Sequence, residues 1–355
     1  MLFRSLPPER PILVIVTGSR TPRAALWIFL LGGVGLVAAC ADAVTQIDEA
    51  DIAELRVSSA SVSIGPGETV ALLAYPLDET GAFLSGLEVS WSSMDPAVAT
   101  VDGTGLVTGV SVGSAEIVAS VGTIQASVSV SVLVPADIVL SADTLTYTVL
   151  AGEAAPPDQV VAISNGGELP LTGLAIDSIV YVGEATGWAL PSLASTLAPT
   201  DMTVGVDPTG VTTAGEYVAR VSLSSATDGP EIVTVVLTVE AADASVMTLN
   251  EGDGQTGQVG VALPVSPSVR VTDAFGNPVE GEAVTFSVTE GGGSTTGAAA
   301  VTDAAGLAAV GSWTLGTTLG ENRLDASIGA GASVTFTATA SAGGPAALTL
   351  NQGDG

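Results

Sequence analysis

The chain reads as all-β, a tandem row of β-sandwich domains, and three observations say so. Apolar residues alternate with polar ones at period two in three stretches spaced about a hundred residues apart: Val128, Val130, Val132 and Val134, then Val233, Val235, Leu237 and Val239, then Val334, Phe336 and Ala338. That spacing gives each stretch one apolar face, the mark of a half-buried strand. Past Cys40 no segment holds a helical period, and 43 Gly with 19 Pro interrupt most windows. Finally, Leu249-Asn250-Glu251-Gly252-Asp253-Gly254 returns as Leu350-Asn351-Gln352-Gly353-Asp354-Gly355, 101 residues later, about the length of one sandwich.

The N-terminal region is of another kind. Arg20 and Arg23 precede an apolar run, Ala24–Leu36, which ends at Val37-Ala38-Ala39-Cys40, and Cys40 is the only cysteine of the chain. A charged flank, a short apolar core and small residues at the cleavage point make a secretory signal, and the run is marginal for the roughly 20 residues that span a bilayer. The pattern resembles the bacterial lipoprotein signal. That resemblance implies removal of residues 1–39, acylation of Cys40, export and attachment to a membrane through several acyl chains, since a single chain holds only marginally. Ala41 stands where an inner-membrane lipoprotein usually carries Asp, which favours the outer membrane; exposure at the cell surface is a further expectation. Residues 40–53 then form an acidic tether. With no second cysteine there are no disulfides, so each domain must rest on its own apolar core.

Three modules follow. In residues 54–134, Gly67-Glu68-Thr69 leads a strand and Val89-Ser90-Trp91-Ser92-Ser93 alternates. Asp95-Pro96 opens a turn, and Gly103 and Gly105 bound a tight hairpin before Leu106-Val107-Thr108-Gly109 and Gly113-Ser114-Ala115. Trp91 supplies a large core side chain. This order resembles the bacterial Ig-like domain of group 2. In residues 136–241, Val161-Ala162-Ile163-Ser164-Asn165-Gly166-Gly167 runs from strand into turn, followed by Trp188, Val206-Asp207-Pro208-Thr209-Gly210 and Ala214-Gly215-Glu216-Tyr217; the order is similar to the BACON family of Ig-like sandwiches. In residues 244–341, the stretches Val269–Val279 (VRVTDAFGNPV), Val284–Val288, Thr302–Ala308 with its Asp303–Gly306 turn, Trp313–Gly316 and Val334–Ala338 resemble the group 1 Ig-like domain of invasin- and intimin-type proteins. Residues 345–355 read as the start of a further such repeat, so the chain is expected to be part of a longer array. Short junctions at 135–137, 241–243 and 343–345 separate the modules.

Charge and residue types exclude most chemistry. The chain has 8 Lys+Arg and 37 Asp+Glu. Arg4, Arg10, Arg20, Arg23 and Glu9 precede Cys40, which leaves 4 basic and 36 acidic groups after it, a net −32. Such a surface offers almost nothing to neutralise phosphates, so nucleic acid is not a partner. There is no His anywhere and no thiol beyond Cys40, which removes the usual general base, the thiol nucleophile and His/Cys zinc sites. Gly291-Gly292-Gly293 lacks the lysine of a phosphate loop. The expectation is a non-enzyme without cofactor.

Two binding signals remain. Asn250-Glu251-Gly252-Asp253-Gly254 and its echo Asn351–Gly355 place oxygen ligands on a Gly-rich turn, which suits weak calcium binding although the spacing is not that of an EF-hand. Trp188, in the loose context Glu184-Ala185-Thr186-Gly187, is the candidate for contact with a glycan, whereas Trp91 and Trp313 sit in alternating strands as core residues. The sequence thus points to a surface lipoprotein whose modules act as a stalk or adhesin, meeting a host or neighbouring-cell surface protein or a glycan. The alternative is a carbohydrate-binding or enzyme-accessory protein that works through the middle module.

Overall fold

The computed structural model describes residues 51–344. Cys40, the leader and the 345–355 echo lie outside them. The described chain is all-β, built of small, mostly antiparallel sheets stacked as Ig-like sandwiches.

Residues 54–132 carry nine strands: β1 Glu54–Val57, β2 Ser61–Ile64, β3 Thr69–Ala71, β4 Ala74–Leu77, β5 Ser90–Ser93, β6 Ala99–Val101, β7 Leu106–Gly109, β8 Gly113–Val121 and β9 Ile124–Val132. The next eight are β10 Ile138–Leu140, β11 Thr144–Leu150, β12 Gln159–Asn165, β13 Ala175–Val182, β14 Ala189–Leu193, β15 Thr200–Val206, β16 Gly215–Ser224 and β17 Glu231–Glu240. The last ten are β18 Val246–Glu251, β19 Gln255–Gln258, β20 Ser268–Thr272, β21 Ala283–Glu290, β22 Ser294–Thr296, β23 Ala299–Val301, β24 Leu307–Ala309, β25 Ser312–Thr314, β26 Gly320–Ile328 and β27 Ser333–Ser341.

One topology recurs three times. Each group opens with a strand paired antiparallel in one sheet: β1 with β4, β10 with β12, β18 with β20. The chain then crosses to the opposite sheet, where the second strand runs parallel to the last: β2 with β9, β11 with β17, β19 with β27. In each group that last strand closes a long antiparallel hairpin, β8–β9, β16–β17 or β26–β27. Splitting the first strand between two sheets ties the two layers of each sandwich together along one side.

The apolar cores follow the same division. One cluster draws only on residues 136–242 and another only on 244–340. Two smaller clusters, bridged by half-buried Trp91 and Val57, fill residues 52–132. The alternation read from sequence is what fills them: Val128, Val130 and Val132, then Val233, Val235, Leu237 and Val239, then Phe336 and Ala338 are all buried.

Val134 departs from that pattern. Strand β9 ends at Val132, and Val134 is 39 % exposed. Its N–H donates to Glu168 Oε2 at 3.1 Å, and its carbonyl accepts from Glu168 N and Leu169 N, each at 3.0 Å. The continuing alternation in the sequence is overridden because the next module takes both polar groups of this residue.

Candidate functional site: the module junctions

Among the described residues no three Cys, Asp or Glu side chains are grouped, and the most specific side-chain geometry lies at the two junctions between modules. The second is the more developed. A hairpin turn between β20 and the chain beyond it is built on Asp273, whose Oδ1 accepts from Phe275 N at 2.8 Å and Asn277 N at 2.9 Å. Oδ2 accepts from Asn277 Nδ2 at 2.8 Å and, across the junction, from Ala242 N at 3.0 Å. Asn277 reaches further: Oδ1 accepts from Ala214 N and Nδ2 donates to Thr212 O, both at 2.8 Å. Asp273 is fully buried and Asn277 nearly so. Burial pushes the Asp273 carboxyl up, but the Asn277 side chain and the Ala242, Asn277 and Phe275 amides outweigh it, so the group lies below its ordinary 3.8. Beside this polar clamp, Phe275 stands over Gly152, where a Cβ would come within 2.3 Å of the ring. Only glycine, at φ +78°, lets the ring approach.

The first junction is made mostly of backbone. Asn165 shapes the 165–169 loop: Oδ1 accepts from Gly167 N at 2.9 Å and Asp137 N at 3.1 Å, and Nδ2 donates to Leu169 O at 2.8 Å. The loop then takes the Val134 backbone as described, with Gly167 pressed against the linker so that a Cβ would lie 1.8 Å from Pro135 O. Leu169 packs toward Gly65 of the first module. A cleft of about 190 Å³ remains between Glu68, Pro66, Pro135, Leu169 and Thr227.

The residues singled out from sequence fall elsewhere. Trp188 is 2 % exposed, enclosed in the middle core edge-on to Tyr181 with ring centroids 5.6 Å apart. Its indole N–H is buried without a partner, and neither ring face is open for a sugar to stack on. The sequence context suggested exposure because Gly187 and the polar residues ahead of it look like a loop, whereas the strand β14 that starts at Ala189 draws the ring inward. Trp313 is fully buried and Trp91 half-buried. In the Asn250–Gly254 turn, Asp253 Oδ1 accepts from Thr337 N at 2.7 Å and Thr337 Oγ1 at 3.1 Å, while Asn250 Nδ2 donates to Ser268 Oγ at 2.9 Å. Those two side chains tie strands together, and among the described residues no three acidic side chains are grouped as a metal ion would need. Gly291 and Gly293 serve packing: a Cβ on Gly291 would meet Asn322 Oδ1 at 2.2 Å, and one on Gly293 would meet Thr314 O at the same distance. Cys40 lies outside the described residues. The junction residues Asp273 and Asn277 were not singled out beforehand. Asn277 stood in the sequence as an ordinary Gly-Asn-Pro turn, and its bonds to Thr212 and Ala214, more than 60 residues earlier in the chain, left no local trace.

Residues 51–132 match the family described as bacterial Ig-like domain (group 2). No curated protein matches the chain in sequence. Among solved structures, domains 4 and 5 of the S-layer protein SbsC are similar at 20% identity over 54% of this chain and 100% of that one, with a TM-score of 0.32. The Escherichia coli adhesin FdeC is similar at 18% identity, over 81% of this chain and 96% of that one, with a TM-score of 0.30. Protocadherin γB4 shows 14% identity, over 81% of this chain and 49% of that one, with a TM-score of 0.39. None of these likenesses bears on function.

Proposed function

We propose that this chain is an exported lipoprotein, anchored to the outer membrane through acylated Cys40, whose Ig-like modules form a stiff surface stalk that displays an adhesive end. The observation that supports the stalk is the Asp273–Asn277 clamp. A freely jointed array needs only a linker, and here two buried polar side chains of one module bind the backbone of the module before it and of the junction between them. Buried polar groups with specific partners fix one relative placement of the elements they join, because any other leaves them unsatisfied. The anchor is supported by the Val37-Ala38-Ala39-Cys40 sequence, and the domain boundaries 54–134, 136–241 and 244–341 by the division of the cores. The acidic surface keeps such an array soluble and away from anionic head groups.

The test of the anchor is metabolic labelling with palmitate of cells expressing the full chain. Label in the wild type that is absent in Cys40→Ser supports the reading; equal label in both, or none in either, removes it.

A further inference from the structure

Tension along the chain enters each module through its opening strands and leaves through its closing one. In all three modules the second strand runs parallel to the last. The N-terminal end of the one and the C-terminal end of the other are therefore drawn in opposite directions along the strand axis. The evenly spaced ladder between them is loaded in shear, with all of its bonds strained together. On its other side the closing strand is held by eight or nine residue pairs, in β8–β9, β16–β17 and β26–β27. The weaker grip is the one on the opening strands, and it differs between modules.

Strand β11 meets β17 over seven pairs, Thr144–Leu150 against Thr234–Glu240, whereas β2 meets β9 and β19 meets β27 over four. The strands ahead of them, β1, β10 and β18, are held by four, three and five pairs, so no other opening strand matches β11. Burial points the same way. Leu145, Tyr147 and Val149 on β11 are buried, while β2 buries only Ile64 and β19 nothing. A ladder beside a dry core keeps its bonds stronger than one open to water. Strand β11 is also bonded to the opposite layer, where Tyr147 Oη donates to Val204 O at 2.6 Å and Thr146 O accepts from Gln159 Nε2 at 2.7 Å. The third module has side-chain bonds of its own, from Thr337 N and Oγ1 to Asp253 Oδ1 and from Ser341 Oγ to Gly257 O. Those lie at the exposed ends of a four-pair ladder, where water competes for them.

We propose that the modules are graded for load: under tension the first and third give way before the middle one, which holds longest. Forced unfolding follows the unfolding rate rather than the equilibrium stability. The order is therefore set by the ladder that must be sheared, and not by the melting temperatures. In a stalk, the flanking modules lengthen and absorb a sudden pull while the middle one stays folded. The order itself rests on strand register and stands without the anchor or the stalk.

The experiment is single-molecule force spectroscopy on the full chain, held by tags at its two ends and drawn at constant speed. An insertion of about 20 Gly and Ser residues after Glu184 marks the middle module by lengthening its step by about 70 Å. That exposed loop follows β13, at the edge of the sheet away from β11. The lengthened step should come last in most traces and at the highest force of the three. The bonds from Thr234 N to Asp143 O and from Ala151 N to Glu240 O bracket the ladder, so Val149 N faces β17 and Thr148 N faces away. Val149→Pro, which removes a ladder donor, should bring the lengthened step ahead of at least one other. Thr148→Pro, on the free edge, should leave it last. A lengthened step that comes first or second in most marked wild-type traces, or at no fixed place, would overturn the proposal, as would equal effects of the two prolines. Should thermal scans show that Val149→Pro does not fold, the wild-type order alone decides.

Discussion

Four turns among the described residues use one aspartate each in the same way. Asp78, Asp102, Asp273 and Asp303 each accept, through Oδ1, the amides two and four residues ahead, at 2.8–3.0 Å. Each has a glycine at the third position, with φ between +74° and +89°. The carboxylate replaces the backbone acceptor that a bare turn would lack, and glycine supplies the left-handed residue. The pattern D-x-x-G was present in the sequence. Glycine and proline mark such turns one at a time, whereas the carboxylate's reach to the amides two and four residues ahead depends on the folded backbone. Its consequence is acid sensitivity. Asp78 is held below its ordinary value by the Thr80 hydroxyl and the Ala82 amide, Asp102 by the Thr104 hydroxyl and the Leu106 amide, and Asp273 by bonds that outweigh its burial. A carboxyl whose folded value is depressed adds stability that is complete above its unfolded value and disappears as pH falls through the folded one. The melting temperature should therefore fall below pH 3.8, the ordinary value of all three. Neutralising 36 acids relieves repulsion in the same range and works the other way, so the informative comparison is with Asp273→Asn, whose acid slope should be shallower than that of the wild type. Parallel slopes in thermal scans would show that Asp273 contributes nothing. A second residue-scale expectation concerns Gly316, where a Cβ would fall 1.6 Å from Gly291 O, beside fully buried Asn322, which accepts from the Gly316 amide at 3.0 Å. Two backbones meet there, so Gly316→Ala should cost about 2–4 kcal/mol in urea unfolding.

At the level of strands, what could be read beforehand was whatever repeats every second residue. The apolar faces of β9, β17 and β27 were legible because side chains on a strand alternate strictly, and a hairpin partner lies nearby in sequence. The parallel pairing of β2 with β9, β11 with β17 and β19 with β27 was not. It joins segments from opposite ends of a module, and alternation, which is plain in Thr144–Leu150 and absent only from Gln255–Gln258 with its small and polar residues, marks a strand without naming the distant strand it pairs with. Val134 marks the same boundary from the other side, since its sequence continues a strand that the neighbouring loop interrupts. The cores suggest a consequence for unfolding. Leu237 is fully buried on β17, between β11 and β16, in a cluster drawn only from residues 136–242. Leu237→Ala removes that packing and should cost about 2–5 kcal/mol. Because the other clusters share no residue with it, calorimetry should show one transition moved to lower temperature and the others held in place, departing from a single two-state event. A uniform downward shift of the whole profile would mean that the three modules unfold as one body.

Over the whole molecule, the question is what holds like-charged modules in sequence. After Cys40 the chain carries a net −32, and neighbouring modules repel one another over about a Debye length, some 8–10 Å near physiological salt. Repulsion alone would extend a flexible string at low salt and let it contract when salt is added. A jointed array and a clamped one therefore differ in their salt response rather than in extension at any single condition. The clamp at Asp273 and Asn277 and the tight contact of Gly167 with Pro135 O do not depend on charge repulsion, so small-angle scattering of the wild type should change little between about 20 mM and 500 mM NaCl. Removing both restraints, with Asn277→Ala to delete the bonds to Thr212 and Ala214 and Gly167→Ala to force the first junction apart, should give a chain whose radius of gyration falls as salt rises. Far-UV circular dichroism and the separate melting transitions report whether the modules themselves survive the substitutions. If wild type and double variant contract alike, the junctions are hinges and the stalk reading fails at its mechanical step. If neither contracts, the linkers alone are stiff enough, and the buried Asp273–Asn277 pair serves the folding of the third module instead of the spacing of the array.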